Sequence, residues 1–227
     1  MNVPILYEDN HLLIVEKPIN MPVQEDESQD NDLLSYLKED VKKRYNKPGN
    51  VYMGLIHRLD RPVGGVMVFA KTSKAASRMA DTLRKQELER TYVAIVRGTL
   101  KEKQGRLTDY LIKDRRRNKV HLADRHHKDA KKAILDYTCI SMKENLSLVS
   151  IQLQTGRSHQ IRVQMKAKGT PLYGDQRYGG RVNKRGQQIA LWAYSLAFEH
   201  PVKKERVQVT CPPPKTYPWN LWKENEI

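Results

Sequence analysis

The sequence predicts an α+β fold, a single domain built on a mixed, largely antiparallel central sheet flanked by helices and loops. Three observations predict it. Strand-like and helix-like segments mix without a regular βαβ rhythm, which argues against a doubly wound parallel sheet. The apolar runs, such as HLLIV, VMVFA and YVAIV, are short and bounded by Pro, Gly or charged residues, as buried strands are. Finally, the 227 residues hold no internal repeat and no long low-complexity linker, so no domain boundary is convincing and the whole chain reads as one unit.

Taken in order, HLLIVEKP is a short strand stopped by Pro18, and MPVQEDESQDN is a polar loop. Asn31 or Asp32 is placed to cap a helix bearing Leu33, Leu34, Leu37 and Val41 on one face. Val66 to Ala70 is a compact buried strand. Ser73 then suits the N-cap of a helix in which Ala76, Met79, Ala80 and Leu83 follow the i, i+3, i+4, i+7 stripe. Tyr92 to Val96 is another strand, closed by Gly98.

From Leu107 to Lys132 the composition changes. KDRRRNK and DRHHKDAKK are basic and poor in large apolar residues, which predicts exposed hairpins or loops. Val149, Ile151 and Leu153 alternate with Ser150, Gln152 and Gln154, the pattern of a half-buried strand. Thr155-Gly156 turns the chain into a helix over Ser158 to Lys168, with Ile161 and Met165 toward the core and His159 and Arg162 sharing another face. Strands at Ile189 to Phe198 and Arg206 to Cys211 precede a PPP stretch and an aromatic tail.

Charge narrows the partner. Lys+Arg 41 against Asp+Glu 26 gives +15, and the isoelectric point is near 9.7, so the surface attracts a polyanion, most simply nucleic acid. Cys139 and Cys211 form no CxxC and no Cys/His spacing suited to zinc, which predicts free thiols in a reducing compartment and no metal. The N-terminal MNVPILYEDNHLLIVEKP carries acids where an export signal is basic, and its apolar runs are short. A cytoplasmic protein with no membrane association is expected.

The chemistry centres on IHRLDRPVGGVMVFAKTS, where Asp60 stands between Arg58 and Arg61 at the mouth of a strand. The kinase catalytic loop is a poor comparison: an extra leucine intervenes, Gly65 occupies the place of the required asparagine, and no Gly-rich phosphate loop or DFG follows. In isolation such an acid is usually a solvated turn former. A strand mouth, however, lets a rigid sheet present a side chain to a cleft, and Gly64-Gly65 allows another backbone to approach closely. The second cluster is QTGRSHQIRVQ, in which a helix N-terminus adds partial positive charge beside Arg162. An arginine facing an acid such as Asp60 lowers that acid's pKa and keeps it ionised, ready to act as nucleophile or base.

HRLDRPVGGVMVFAKT, RTYVAIVRG, LQTGRSHQIRVQM and PLYGDQRYGG, in that order and spacing, resemble the RluA-type family of RNA pseudouridine synthases across nearly the whole chain, in a short form lacking an N-terminal S4 domain. The resemblance implies the pseudouridine synthase fold, with residues 1–227 as a single catalytic domain. It implies isomerisation of uridine in structured RNA (rRNA, tRNA or both) without cofactor or metal. By motif position Asp60 is the catalytic aspartate. Arg58 fills the gap left by a flipped-out base, Tyr92 stacks against the uracil, and Arg162 is the basic residue that pairs with the aspartate. Lys17, in VEKP, matches a recurrent lysine, with a phosphate contact and a structural salt bridge both open. Arg115–Arg117, Lys119, Arg125 and Lys128 are expected to line an RNA path, and a monomer is the default. The rival reading is a non-catalytic RNA-binding protein, against which the Asp60, Tyr92 and Arg162 set argues, since binding alone needs no lone acid against a polyanion.

Overall fold

The structure is a computed structural model in which residues 2–227 are described. In chain order it runs β1 (Ile5–Glu8), β2 (Leu12–Lys17), α1 (Leu33–Arg44), β3 (Gly54–Leu55), β4 (Gly64–Ala70) and α2 (Ser73–Arg84). There follow β5 (Glu89–Arg97), β6 (Gln104–Asp114), β7 (Lys119–Leu122), β8 (Lys131–Lys143) and β9 (Leu146–Leu153). The rest is α3 (Gln160–Ala167), the single turn α4 (Gln176–Gly179), β10 (Leu191–Glu199), β11 (Arg206–Thr210) and two short 3-10 turns. The chain divides into two compact units, one of residues through Glu89 with Ala193–Cys211, the other Arg90–Trp192 with Pro212–Ile227.

In the first unit β1, β2 and β4 pair antiparallel in that order, β3 adds to β4, and β10 pairs antiparallel with β11. Every residue of β4 is buried, as are Leu12 to Val15 of β2, so these strands read as continuous apolar runs rather than alternating ones. Their register places Leu12 opposite Ala70 and Lys17 opposite Gly65, which brings Lys17 to the end where the HRLD loop enters β4. Gly65 sits there with φ +113, and an added Cβ would lie 2.2 Å from the Ala193 carbonyl oxygen, so the close backbone approach expected of this glycine pair is real.

Asp32, not Asn31, caps α1 by accepting from the Ser35 N–H, and Leu33, Leu37 and Val41 are the buried seam, with Leu34 at its edge. Burial of each contributes about 1.5–3 kcal/mol. At α2 the cap is Thr72 rather than Ser73, because its Oγ1 accepts from the Ala75 N–H. The buried positions there are Ala75 and Met79, and Ala80 is exposed, so the helix face is rotated from the expected stripe.

The second unit is an antiparallel sheet in the order β5-β9-β8-β6-β7. Tyr92 lies opposite Ile151 on β9. The basic stretch forms the β6–β7 hairpin, its tip at Arg115–Asn118, as its composition predicts. Helix α3 packs Val163 into a small core of Leu111, Val120 and Ala133, with Tyr178 against it. It begins at Gln160 rather than Ser158: His159 has φ +52, a left-handed conformation that ends the preceding loop instead of joining the helix. At the C-terminus Lys143 Nζ donates to the Leu221 carbonyl and to Glu226, anchoring the tail that buries Trp219 and Trp222. Among the described residues no helix is long and apolar enough to cross a membrane.

Candidate active site

The HRLD loop alternates inward and outward. His57 and Leu59 are buried, Arg58 is exposed and Asp60 is half-buried. His57 Nε2 accepts the Val68 N–H at 3.3 Å, which ties the start of the loop to β4. A tight turn follows, closed by the Val63 N–H donating to the Asp60 carbonyl at 2.9 Å, so the acid sits on the first corner of a turn that Pro62 stiffens. Arg61 braces the outside, donating to the Asn20 carbonyl at 3.1 Å and the Ser28 hydroxyl at 3.0 Å, and pairing with Asp30.

Lys17 holds this loop from within. It is fully buried, and its ammonium donates to the carbonyls of Pro18, Arg61 and Val63 at 2.8, 3.0 and 2.8 Å. Burial pushes its pKa down to about 7, while the Asp60 charge opposes that shift. The side chain spends all three hydrogens on main-chain oxygens, within reach of the Asp60 charge. It is a clamp on the turn that carries Asp60.

Tyr92 and Arg162 belong to the second unit. Tyr92 is buried in the middle of β5. Arg162, on α3, is engaged within its unit by an acid the sequence reading left unassigned. Its Nε donates to Asp175 Oδ2 at 2.8 Å and its Nη2 to Oδ1 at 2.9 Å, a two-point pair with both side chains buried. Asp175 comes from the PLYGDQRYGG motif, where it also caps α4 by accepting the Arg177 and Tyr178 N–H groups.

Arg162 and His159 do converge, though on Tyr178 rather than on one helix face. The guanidinium lies 5.1 Å from the Tyr178 ring centroid, and His159 Nδ1 stands 2.7 Å from its hydroxyl. That hydroxyl also accepts the Val120 N–H at 2.8 Å, coupling this cluster to β7. The spacing of Asp175 and Tyr178, one turn apart beside a glycine pair, was the signal available for them. Arg90, two residues before Tyr92, was also overlooked; it is buried, and burial lowers its pKa. Along the basic hairpin Arg115, Arg116 and Arg117 are exposed, and Arg177 Nη1 holds the tip by donating to the Arg117 carbonyl at 3.1 Å.

Comparison with known proteins follows the same residues. A family profile described as RNA pseudouridylate synthase matches residues 11–167, which include Lys17, the HRLD loop, Tyr92 and Arg162. An uncharacterized RNA pseudouridine synthase of Bacillus subtilis, YhcT, is 34% identical over 214 residues, covering 92% of this chain and 68% of that protein. The tRNA pseudouridine synthase C of Haemophilus influenzae is 30% identical over 228 residues, with 91% of each chain covered. The ribosomal large subunit pseudouridine synthase D of Pseudomonas aeruginosa is 32% identical over 237 residues, covering 97% of this chain and 71% of that one. Among solved structures, human RNA pseudouridylate synthase domain containing 4 superposes with a TM-score of 0.79 over 96% of this chain and 91% of that one, at 22% identity, so the two share a fold.

Proposed function

Since the chain belongs to the RNA pseudouridylate synthase family, we propose that it isomerises specific uridines of structured ribosomal or transfer RNA to pseudouridine, with Asp60 as the catalytic acid residue. The C1′–N1 bond breaks, the uracil turns, and a C1′–C5 bond forms. N1 takes up a proton and C5 gives one up. Nothing is oxidised or reduced, so the reaction asks for no redox cofactor, and the proposed steps use only side chains of this protein. Ordinary glycosidases use two carboxylates because their leaving group is lost to water; here the detached base is the next reactant, and one carboxylate suffices.

The observation that carries this reading is the clamping of Asp60: a buried lysine and a closed turn fix the acid at a strand mouth. A merely solvated turn former needs no such support. Exposed Arg58 is suited to fill the stack that an extruded base vacates, an extrusion costing a few kcal/mol. Tyr92 offers its ring to the uracil, and Arg162, steadied by Asp175, serves as the basic partner of the reaction. The +15 charge attracts the RNA. Relatives named for ribosomal RNA and for transfer RNA leave both as targets. The two units act as one catalytic domain, as a cytoplasmic monomer.

The test is tritium release from C5-labelled uridine in bulk tRNA and, separately, in rRNA. Release is expected from at least one, and Asp60→Ala is expected to abolish it while RNA affinity stays within a few-fold. A fully active Asp60→Ala refutes the assignment. Tight binding without release by the wild type makes the protein an RNA-binding module instead.

A further inference from the structure

Two arginines are buried in the second unit to nearly the same degree, Arg162 at 6% exposure and Arg90 at 7%. Their partners differ. Arg162 has the carboxylate of Asp175, whereas the Nε of Arg90 finds no hydrogen-bond partner among the described residues. A guanidinium donor left dry and unmet is costly and calls for an explanation, and a partner that arrives with the substrate supplies one. The surroundings say where. Arg90 and Tyr92 are i and i+2 on β5, hence on the same face and about 7 Å apart along the strand. Burial lowers the Arg90 pKa, and the Tyr92 side chain is close enough to offset part of that lowering. The guanidinium also lies against Gly156, where an added Cβ would meet Nη1 at 2.5 Å, so this glycine of the QTGRSHQIR stretch leaves room for it.

We propose that Arg90 is a further catalytic residue, donating hydrogen bonds to a carbonyl oxygen of the uracil that Tyr92 stacks. The inference rests on the pseudouridine synthase reading and names the group that receives the base. When C1′–N1 breaks, the bonding electron pair leaves with the ring and its charge spreads onto O2 and O4. The pair that closes the new C1′–C5 bond comes back from the same ring, and the C5 proton then departs while N1 is protonated. A fixed, desolvated guanidinium beside one of those oxygens stabilises the charge while it exists and little before, so it acts on rate more than on affinity. A neutral carbonyl alone would not need a full positive charge in so dry a position; a transiently anionic ring does.

The experiment uses the full chain and, once the target uridine is mapped, transcripts with 4-thiouridine or 2-thiouridine at that position, since sulfur is the weaker acceptor. Arg90→Met is expected to slow single-turnover pseudouridine formation about 100-fold or more, with RNA affinity within a few-fold and its salt dependence unchanged. One of the two thio substitutions is expected to slow the wild type and to add nothing in Arg90→Met. A single-turnover rate within threefold of wild type overturns the proposal. So does an unchanged rate with weaker binding and a shallower salt slope, which makes Arg90 a phosphate contact. If Arg90→Met fails to fold, Arg90→Lys is read in the same way, and a wild type indifferent to both thio substitutions overturns the proposal without any variant. A wild type that forms no pseudouridine in any RNA sinks the underlying function instead, a result distinct from an active enzyme that ignores Arg90.

Discussion

Asp175 grips Arg162 at two points, through Nε at 2.8 Å and Nη2 at 2.9 Å, and the same carboxylate caps the turn that brings in Tyr178. Truncating one partner of a buried pair strands the other charge, at about 3–5 kcal/mol. Asp175→Ala is therefore expected to lower the melting temperature by about 10 °C, since a chain of this size loses roughly 2–4 °C per kcal/mol. Calorimetry or circular dichroism melting decides it, and an unchanged midpoint means the pair does not support the fold.

Lys17 has a pH signature. Its folded pKa, about 7, lies below the 10.5 of the free side chain, so between those values the unfolded chain holds a proton that the folded chain lacks. Stability attributable to Lys17 therefore rises with pH across that window, by at most about 1.4 kcal/mol per unit, and is lost as pH falls toward 7. Urea unfolding of wild type and Lys17→Met at pH 7, 8 and 9 is expected to show a difference that grows with pH. A constant difference contradicts it.

The same substitution is expected to reduce pseudouridine formation at least tenfold at pH 7, because the turn carrying Asp60 loses both of its inner donors, those to the Arg61 and Val63 carbonyls. RNA affinity is expected to change little. Full activity in a folded Lys17→Met would show that the clamp is dispensable for positioning.

Gly65→Ala places a methyl group on the Ala193 backbone and forces an L-residue to φ +113. Neither strand of the contact is able to move without unpairing its sheet. Soluble yield and melting temperature are both expected to drop sharply, by more than the ~1 kcal/mol typical of a point substitution. A melting midpoint within 2 °C of wild type, about 1 kcal/mol for this chain length, contradicts the backbone contact.

Replacing Arg115, Arg116 and Arg117 together by alanine tests the basic hairpin. If all three meet phosphates, RNA affinity falls and the slope of log affinity against log salt becomes shallower by about two units. Filter binding between low and physiological salt measures it, and an identical slope retires the hairpin as an RNA contact.

Much of the architecture was legible because local pattern and final environment agree. The all-apolar β4 and the alternating end of β9 each announce how many faces they bury. What escaped was set by contacts distant in sequence. The cap of α2 slipped by one residue because Ser73 and Thr72 differ only in where the helix axis starts, whereas Asp32 was one of the two residues offered for α1. His159 left its helix through a left-handed backbone that no side-chain pattern encodes. Lys17 was visible as a residue but not as a clamp, since main-chain carbonyls carry no sequence signature. Asp175 pairs with a residue 13 positions away, beyond the reach of any helical periodicity.

Because the ammonium of Lys17 binds oxygens that every amino acid possesses, its grip leaves the side chains at 61 and 63 free, and what limits those is their own contacts, Arg61 with Asn20, Ser28 and Asp30 and Val63 in the core. The lysine itself has no such freedom. Its three hydrogens diverge toward three separate acceptors, a geometry that the flat fork of arginine is unable to reproduce. The inner grip on this loop thus hangs on one buried cation.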